Sequence, residues 1–419
     1  MTATGDAQVL DRDELRRLFD LRSSYNAHSG GGYTDDPYPI WHSLREQAPV
    51  HEGVVHELTG YPGDWFFQGL PYPDRPHFSA FSFEACDAAF RDGDLFASSA
   101  AEEHIDTTEP GVFNSILAMG GAQHRRYRAL VQPSFVPAKA QWWITNWIER
   151  TVRSLIDSFV DDGHAELNVD FAAAIPVLTI TGSFGVSVEQ ALVIREFLMS
   201  DSQRVFDILE PIVAARRVVA TDDLISVLVE AEYTDEDAVS HRLTDAEIYS
   251  FAMLLLAAGS GTTWKQMGIT LAAILERPEV LAAVRDDRAL VRPAIEESVR
   301  WMPTDPMFSR HVTRDTEFFG VDLPQGSVLH LCLGAANRDP ARWERPDEYD
   351  ITRPPRPSLG FGNGPHVCLG MHVARAEMNV GITALLDRLP DLRLDPDADL
   401  PAYIGMYERG ATAIPVVFG

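Results

Sequence analysis

A single cysteine lies in a glycine-rich turn directly before a helix-forming segment. It is Cys368 in the run Phe361–Gly370 (FGNGPHVCLG), and the segment MHVARAEMNVGITALLDRL follows at once. Free N–H groups and the positive dipole end of a helix N-terminus stabilise an anionic sulfur, and the glycines permit tight turns beside a flat ligand. The pattern indicates a metal-bound thiolate. Taken alone, a cysteine before a helix is more often a small buried hydrophobic side chain.

Two further pairs of residues have the spacing of neighbours on one helical face. Glu297 and Arg300 are three residues apart, and His124 and Arg128 are four apart. The first pair predicts a salt bridge and the second predicts two cations that point the same way. The alternatives are a solvated surface pair worth about 0.2–0.5 kcal/mol and an exposed basic helix face.

A long helix is predicted to carry a segment of small residues past the site. Thr244 and Glu247 form a T-x-x-E capping box, and no proline follows before Leu275, which predicts a helix of about 32 residues or roughly 48 Å. In its middle lies AGSGTT, residues Ala258–Thr263. Glycine and serine lower helix propensity, so a local kink or opening is expected there. A small-residue patch for helix packing is the alternative.

The composition is that of a globular protein with a large core. Of 419 residues, 45% are apolar, and 62 Asp and Glu against 35 Lys and Arg give a formal charge of -27. So acidic a chain is expected to bind neither nucleic acid nor an anionic membrane. The polar N-terminus lacks the apolar core of a signal peptide, and the longest apolar run, Phe251–Ala258, is far shorter than the roughly 20 residues of a membrane span. The three scattered cysteines, Cys86, Cys332 and Cys368, predict a reducing, cytoplasmic location.

The pattern along the chain predicts a mainly α fold with small β-sheets. Apolar residues recur at helical spacing through 140–276, and a further helix after Pro278 is expected to end near Arg300. Residues 311–333 are predicted to form β-strands, with turns at Gly320 and at Gln325-Gly326. Residues 337–364 are too rich in proline for a helix or a central strand and too long for a plain loop, which predicts a functional segment.

The glycine-rich turn resembles a known signature. Residues 361–370 match F-G-x-G-x-H-x-C-x-G at every fixed position, the signature of the cytochrome P-450 superfamily of haem-thiolate monooxygenases. The resemblance implies that Cys368 is the proximal iron ligand and that His366 contacts a haem propionate. A thiolate pushes electron density onto haem iron and favours O–O cleavage. It also implies the family's fold, with haem between a long distal helix and the cysteine loop. Loop residues expected to border the cofactor are Phe361, Gly362 and Gly370.

The resemblance assigns roles to the charged residues as well. Glu297 and Arg300 are similar to the family's E-x-x-R pair, to which Arg353 is expected to add a third member. His124 and Arg128 are similar to the family's H-x-x-x-R helix and, with Arg310, are implied to bind the propionates. One family partner is absent, since Ser358 stands where many members have a histidine, and its hydroxyl can donate a hydrogen bond without charge.

The small-residue segment is similar to the family's A-G-x-(D/E)-T-T, which crosses the distal face of the haem. Ala258 is expected to touch the cofactor, and Thr262 corresponds to the alcohol that hydrogen-bonds oxygen and organises proton delivery. Gly261 stands where the family usually has an acid, which leaves the proton route open. Ser260, Gly261 and Thr262 are the candidate catalytic set.

The family layout also outlines a mostly apolar substrate pocket. Its walls are expected from the loop 99–119, the long helix, the stretch 304–308 and the terminal turn 404–407. Each wall residue has ordinary core packing as its alternative. The lid region 186–221 looks short, so access is expected to be more open or differently gated. The candidate wall residues are Phe113, Ile116, Leu117, Leu254, Leu255, Met307, Phe308 and Met406.

These features together predict one domain over residues 1–419, with 1–35 as a partly flexible N-terminal extension. The expected function is a haem b monooxygenase that hydroxylates or oxidatively dealkylates an apolar small molecule. Electrons are expected from a separate ferredoxin and its NAD(P)H-dependent reductase, because no flavin or nicotinamide-binding domain is evident. The alternatives are a peroxide-driven peroxygenase, which Gly261 favours, and a non-catalytic haem-binding sensor.

Overall fold

The structure, a computed structural model, describes residues 12–19, 32–61, 72, 74–100, 105–198, 200–234 and 238–419. Most of the predicted extension 1–35 and residues 101–104 of the predicted pocket loop lie outside the described residues. The described part of the extension contains the helix Arg12–Leu18, whose Arg12 Nη2 donates to Asp170 at 2.6 Å and whose Leu15 is buried. This part of the extension is therefore packed against the rest of the chain.

Helices make up most of the described chain, and the prediction of a mainly α fold with small sheets is confirmed. The α-helices are Arg12–Leu18, Tyr38–Gln47, Val55–Leu58, Phe83–Arg91, Gly121–Val131, Ala140–Trp143, Glu149–Asp157, Ala174–Gly182, Val188–Phe197, Ser202–Val218, Leu224–Glu230, Asp245–Leu275, Pro278–Asp286, Val291–Trp301, Leu333–Ala336 and Met371–Arg388. The π-helical turns are Ile144–Ile148 and Asn168–Ala173, and the 3₁₀ turns are Val112–Asn114, Gln132–Ser134, Pro137–Lys139, Arg288–Leu290 and Gly364–His366.

The long helix Asp245–Leu275 runs through the core. Its predicted capping box is confirmed: the Glu247 N–H donates to Thr244 Oγ1 at 3.2 Å, and the Thr244 N–H donates to Glu247 Oε2 at 2.7 Å. Most of its residues are buried around the whole circumference, as expected of a core helix. The helix is continuous through Ala258–Thr263, so the chain is not broken there, and the predicted kink or opening stays a prediction.

The sequence predicts one helix after Pro278, and the structure contains two there. The region after Pro278 forms two helices, Pro278–Asp286 and Val291–Trp301, separated by the 3₁₀ turn Arg288–Leu290. Asp287 ends the first helix because its carboxylate accepts a hydrogen bond from the Ala289 N–H and caps the turn.

No helix among the described residues has both the length and the apolar character needed to cross a membrane.

The described strands form one mixed sheet of five, one antiparallel sheet of three and three antiparallel pairs. The order in the sheet of five is β1 (Val50–Glu52), β2 (His77–Ala80), β10 (Val328–Cys332), β7 (Met307–Val312) and β3 (Phe96–Ala97), in which β10 and β2 are parallel and the other neighbours are antiparallel. The predicted turns at Gly320 and Gly326 have φ of 81° and 84°, a conformation that favours glycine. Residues 337–363 contain no helix or strand, as predicted. The strands are β1 Val50–Glu52, β2 His77–Ala80, β3 Phe96–Ala97, β4 His164–Glu166, β5 Glu232–Thr234, β6 Ser240–Arg242, β7 Met307–Val312, β8 Thr316–Phe318, β9 Val321–Leu323, β10 Val328–Cys332, β11 Arg393–Leu394, β12 Tyr403–Ile404, β13 Gly410–Ala411 and β14 Pro415–Val417.

A buried histidine pair inside the five-stranded sheet predicts acid sensitivity. His77 Nδ1 lies 2.9 Å from His330 Nε2, and His330 Nδ1 lies 3.0 Å from Ser309 Oγ. Burial, followed by the charge of His77, lowers the pKa of His330 to about 3. The unfolded chain takes up this proton near pH 6.5 and the folded chain does not, so stability is highest above pH 6.5 and is lost as the pH falls toward 3.

We therefore expect urea unfolding at pH 6, 5 and 4 to show a steeper loss of stability for the parent than for His330→Gln. The difference in slope should be about 1.4 kcal/mol per pH unit, the value for one proton. Equal slopes in the two proteins would contradict the role of His330. The exposed His164→Gln is the matched control and should retain the parental slope.

Candidate functional site

The cysteine loop is held in shape by its own backbone. The Cys368 N–H donates to the Phe361 carbonyl at 2.9 Å, and the Gly362 N–H donates to the Leu359 carbonyl at 2.8 Å. Gly364 has a φ of 70°, and a Cβ on it would lie 2.1 Å from the carbonyl oxygen of Phe90. Only glycine fits at this position, so the loop packs backbone to backbone on the end of helix Phe83–Arg91.

The thiol of Cys368 is accessible and yet surrounded by protein, so we infer that it lies in a cleft. Its side chain is exposed, whereas Cys86 and Cys332 are buried. Even so, surrounding protein raises the pKa of the Cys368 thiol by desolvation, against the opposing effects of the Gly370 N–H and the charges of Arg128 and Arg375. A side chain that is both accessible and desolvated lies inside a concave surface. The N–H at the helix start is placed to stabilise the thiolate once a metal displaces the proton.

Two predicted histidines meet beside this loop. The rings of His124 and His366 stack with their centroids 3.9 Å apart, and His366 Nε2 lies 3.0 Å from Ser98 Oγ. His124 is 1% exposed, and its Nε2 has no hydrogen-bond partner within the described part of the chain. A buried nitrogen without a partner is uncommon in folded proteins and indicates a ligand.

Two predicted arginines lie in the same cluster. Arg128 Nη2 donates to the Val367 carbonyl at 2.7 Å, one residue before the cysteine. Arg310 Nη1 donates to the Ser309 carbonyl at 2.8 Å, and its guanidinium lies 5.1 Å from the centre of the Phe90 ring. Neither arginine forms a salt bridge with a described carboxylate.

The electrostatics of this basic cluster, defined as His124, Arg128, Arg310 and His366, point to an anionic ligand. Burial lowers the pKa of Arg310 to about 10 and that of His124 to about 4. Burial and then the charge of His124 lower the pKa of His366 to about 3. Both histidines are therefore neutral at pH 7, and the positive charge of the cluster comes from Arg128 and Arg310. Two guanidinium groups without a described carboxylate partner favour the binding of an anion. A flat ligand with two carboxylates, such as haem with its propionates, fits both this cluster and the thiol.

The small-residue segment contains the exposed part of the long helix, and its position at the distal side of the cleft stays a prediction. Ala258 is exposed in the middle of a helix that is otherwise almost entirely buried, and Thr262, one turn later, is half-buried. Thr262 Oγ1 donates to the Ala258 carbonyl at 2.9 Å. Ser260 is 1% exposed and its hydroxyl has no partner among the described residues, so it lies on the core side of the helix. Gly261 is also buried.

The structure brings Glu297, Arg300 and Arg353 together. Arg300 Nη2 lies 2.7 Å from Glu297 Oε1, its Nε lies 2.8 Å from Oε2, and Arg353 Nε lies 3.2 Å from Oε1. Glu297 is 4% exposed and Arg300 is 2% exposed. The remaining N–H groups of Arg300 donate to carbonyl groups of the irregular segment, those of Asn337, Pro346 and Glu348. The triad therefore fixes the proline-rich chain that leads into the cysteine loop.

The predicted pocket residues differ in how much of their side chains is exposed. Leu254 and Leu255 lie at the edge of the core one turn before Ala258, and Phe308 is partly exposed. Ile116 is 4% exposed, while Phe113 and Leu117 in the same loop are exposed. The lid region contains two helices, Val188–Phe197 and Ser202–Val218. The pocket roles of these residues remain predictions.

Met307 and Met406 need correction. Met307 is 2% exposed in β7 opposite Cys332, and Met406 is 0% exposed beneath the terminal turn. Both side chains are enclosed by the core and present almost no surface to a cleft, so we exclude them from the candidate pocket. The periodic apolar pattern does not distinguish a pocket wall from core packing.

Sequence reasoning missed three charged residues near the cleft, Lys265, Asp305 and Glu408. Lys265 follows Thr262 by three residues on the long helix and is 1% exposed, although lysine is rarely buried. The feature of the sequence that could have identified Lys265 is a lysine within an otherwise apolar helix. The signal for Asp305 was a carboxylate within a stretch predicted to be an apolar wall.

Known proteins resemble this chain over most of its length. The family model described as Cytochrome P450 matches residues 194–401. Cytochrome P450 105C1 of a Streptomyces species is 36% identical over 324 residues, which are 71% of this chain and 80% of that protein. Mycinamicin IV hydroxylase/epoxidase of Micromonospora griseorubida is 30% identical over 355 residues, 80% of this chain and 88% of that protein.

A solved structure gives the same result for the fold. The post-tailoring hydroxylase HmtN, involved in himastatin biosynthesis, aligns with a TM-score of 0.72 and 30% identity, covering 82% of this chain and 91% of that one. The extent and the identity of these matches establish the family, and they confirm the predicted family fold. The chain belongs to the cytochrome P450 family and is a haem-dependent monooxygenase.

Proposed function

We propose that the protein binds haem b and takes electrons from a ferredoxin and its NAD(P)H-dependent reductase. Its reaction is the hydroxylation or oxidative dealkylation of a largely apolar small molecule. The observation that carries the proposal is the cleft in which the thiol of Cys368 lies beside the basic cluster. Cys368 is the proposed iron ligand, and the basic cluster is the proposed site of the propionates.

The b form of haem is supported by the cysteine inventory. Covalent haem attachment uses a C-x-x-C-H motif, and the sequence has none. Cys86 and Cys332 are buried, and Cys86 Sγ contacts the carbonyl groups of Ala80 and Cys332. The cofactor would therefore be held by Cys368, by the basic cluster and by contact with Ala258 and Phe361.

When bound, haem uses two electrons and two protons to place one oxygen atom of O₂ in the substrate and release the other as water. The chain's own contribution is to place the groups that handle protons. The Thr262 hydroxyl donates to the Ala258 carbonyl, and rotation would let it donate into the cleft and accept from a water. Gly261 brings no acid, so a water held by polar groups is the proposed link to solvent.

Turnover with purified ferredoxin, reductase and NAD(P)H tests the proposal against its two alternatives. Product with this electron chain and O₂, but little with hydrogen peroxide alone, is the expected result. Product with peroxide alone would identify a peroxygenase, the activity that Gly261 favours. No product from either system across steroids, terpenoids, fatty acids and aromatic compounds would favour a haem-binding sensor.

Thr262→Ala should uncouple electron use from product formation. A positioned proton-transfer group contributes about 10² to 10⁴ in rate, so product formed per NAD(P)H consumed should fall at least about tenfold while peroxide release rises. Ser260→Ala is the matched control, because its hydroxyl lies on the core side and should have a milder effect. Parental coupling in Thr262→Ala would contradict a proton-delivery role.

Arg125 and Arg356 are proposed to help dock an acidic ferredoxin. Both are exposed and form no salt bridge within the ranges that the structure describes. Of the other arginines near the cysteine loop, Arg375 is already paired with Glu296 at 2.6 and 2.9 Å. We expect Arg125→Glu with Arg356→Glu to weaken ferredoxin-supported turnover at low salt and much less at high salt. An unchanged ferredoxin affinity at every salt concentration would contradict this docking site.

A further inference from the structure

Thr304 brings together three charged side chains from separate parts of the chain. Its N–H donates to Gln266 Oε1 at 2.9 Å, and its Oγ1 donates to the Arg409 carbonyl at 2.8 Å. The Arg409 N–H donates back to the Thr304 carbonyl at 2.7 Å. The neighbours of these bonded residues along the chain are Lys265, Asp305 and Glu408.

Two of the three form a mostly buried ion pair. Lys265 is 1% exposed and its Nζ donates to Glu408 Oε2. Glu408 is held by a tight turn, because Gly405 has a φ of 101° and a Cβ there would lie 1.9 Å from the Glu408 carbonyl oxygen. Arg409 Nη1 closes the turn on the Gly405 carbonyl at 2.6 Å. The pair has little freedom to rearrange around a third charge.

Asp305, the third charged residue, has no hydrogen-bond partner for its carboxyl group within the part of the chain that the structure describes. Its Oδ1 is buried and accepts no hydrogen bond from any described residue. A buried acceptor left unmatched is destabilising, so it indicates a donor or a cation that the described residues do not supply. Asp305 also belongs to the stretch 304–308 that the sequence predicts as a pocket wall, and its charge acts on the Cys368 thiol, whose pKa is raised chiefly by desolvation.

We propose that Asp305 anchors a cationic nitrogen of the substrate, so that the enzyme acts on a largely apolar molecule that carries an ammonium group. The proposal rests on the monooxygenase function proposed above and names its substrate class. Lys265 and Glu408 cancel each other, which leaves the ionised form of Asp305 without a counter-charge among the described residues. A ligand cation at this carboxylate makes a charge-assisted hydrogen bond or a close ion pair in a site with little water.

The protonation of Asp305 gives the proposal a second, independent consequence. Burial and then the charge of Glu408 raise the pKa of Asp305 to about 8, while Lys265 opposes them. The other titratable group that senses this carboxyl group is the Cys368 thiol. At pH 7 the carboxyl is therefore mostly protonated, and an adjacent cation favours its ionised form. Binding of a cation should release up to about 0.9 proton per site at pH 7.

The test is calorimetric titration of the haem-loaded protein with three chain-matched probes: decyltrimethylammonium, decanol and decanoate. The quaternary cation has no proton of its own and no lone pair to coordinate iron, so proton release reports the protein alone. We expect the cation to bind about ten- to a hundredfold more tightly than decanol and decanoate more weakly than either. Titration in buffers with different ionisation enthalpies should show proton release for the cation only.

Asp305→Asn should abolish the preference for the cation and the proton release, and it should retain the affinity for decanol. The amide has the same shape, and the haem spectrum and melting temperature will show whether the variant folds. Asp322→Asn, on an exposed hairpin, is the matched control and should behave like the parent.

The proposal is overturned if the parent binds the cation no more tightly than decanol or releases no proton. It is also overturned if Asp305→Asn keeps the parental preference. The proton measurement needs no variant, so it stands even if the variant fails to fold. None of these readings requires turnover, so the absence of product with ferredoxin and reductase would count against the proposed function alone.

Discussion

Cys368→Ala should abolish the red-shifted Soret band that reduced, carbon monoxide-treated protein gives when a thiolate ligates haem iron. The band reports a thiolate, so a nitrogen ligand such as the nearby His366 cannot reproduce it, and the loop contains no second cysteine. Desolvation raises the pKa of the Cys368 thiol, while the Gly370 N–H and the charges of Arg128 and Arg375 oppose that rise. The loss should be complete, since one atom provides the whole effect.

Cys86→Ala and Cys332→Ala are the controls for this experiment. Both thiols are buried away from the cleft, and burial raises the pKa of Cys332 to about 12, so neither forms a thiolate at neutral pH. Both variants should retain the thiolate spectrum of the parent. An unchanged spectrum for Cys368→Ala would show that this assignment of the ligand is wrong.

Glu297→Ala should yield little haem-loaded protein. The carboxylate accepts from Arg300, from Arg353 and from the Asp350 N–H at 2.9 Å, so its removal leaves two largely buried guanidinium groups without an anion. Removing one partner of a buried pair destabilises a protein by about 3 to 5 kcal/mol. Urea unfolding and the haem content of the purified protein measure the effect.

The neighbouring residue provides a matched control for the triad. Glu296 also pairs with an arginine, Arg375, but its side chain is 42% exposed. Exposed pairs contribute about 0 to 1 kcal/mol, so Glu296→Ala should unfold and bind haem nearly like the parent. Similar stability and haem content of Glu297→Ala and Glu296→Ala would contradict the proposed effect of burying the Glu297 triad.

The sequence predicted the elements whose signals are local. The long helix was predicted from its capping box, and the box is present at Thr244 and Glu247. The sequence did not predict that the chain after Pro278 forms two helices, because both are apolar on one face and only Asp287 marks the break between them. Periodicity reports which face is buried and says little about where one helix ends and the next begins.

The site was predictable where residue types are unusual for their surroundings. Cysteine between glycines identified the cysteine loop, and paired spacing identified Glu297 with Arg300. The placement of Asp305 beside Lys265 and Glu408 depends on the hydrogen bonds of Thr304, which join three distant parts of the chain. Met307 and Met406 show the opposite failure, because apolar residues in the right segments were enclosed by the core.

The close backbone contact between Gly364 and Phe90 has a consequence for engineering. The position of the sulfur is set by main-chain atoms, glycine conformations and the Asn363 side chain that donates to Asp87 Oδ1, at a distance from Leu254, Leu255 and Asp305 in sequence. Libraries that vary Leu254 and Leu255 to accept new substrates leave this backbone framework untouched. Variation at Gly364 or Phe361 instead displaces the loop that holds the sulfur, and variation at Asp305 changes a charge that acts on the thiol. Substrate range at Leu254 and Leu255 can therefore be evolved separately from the position of the sulfur.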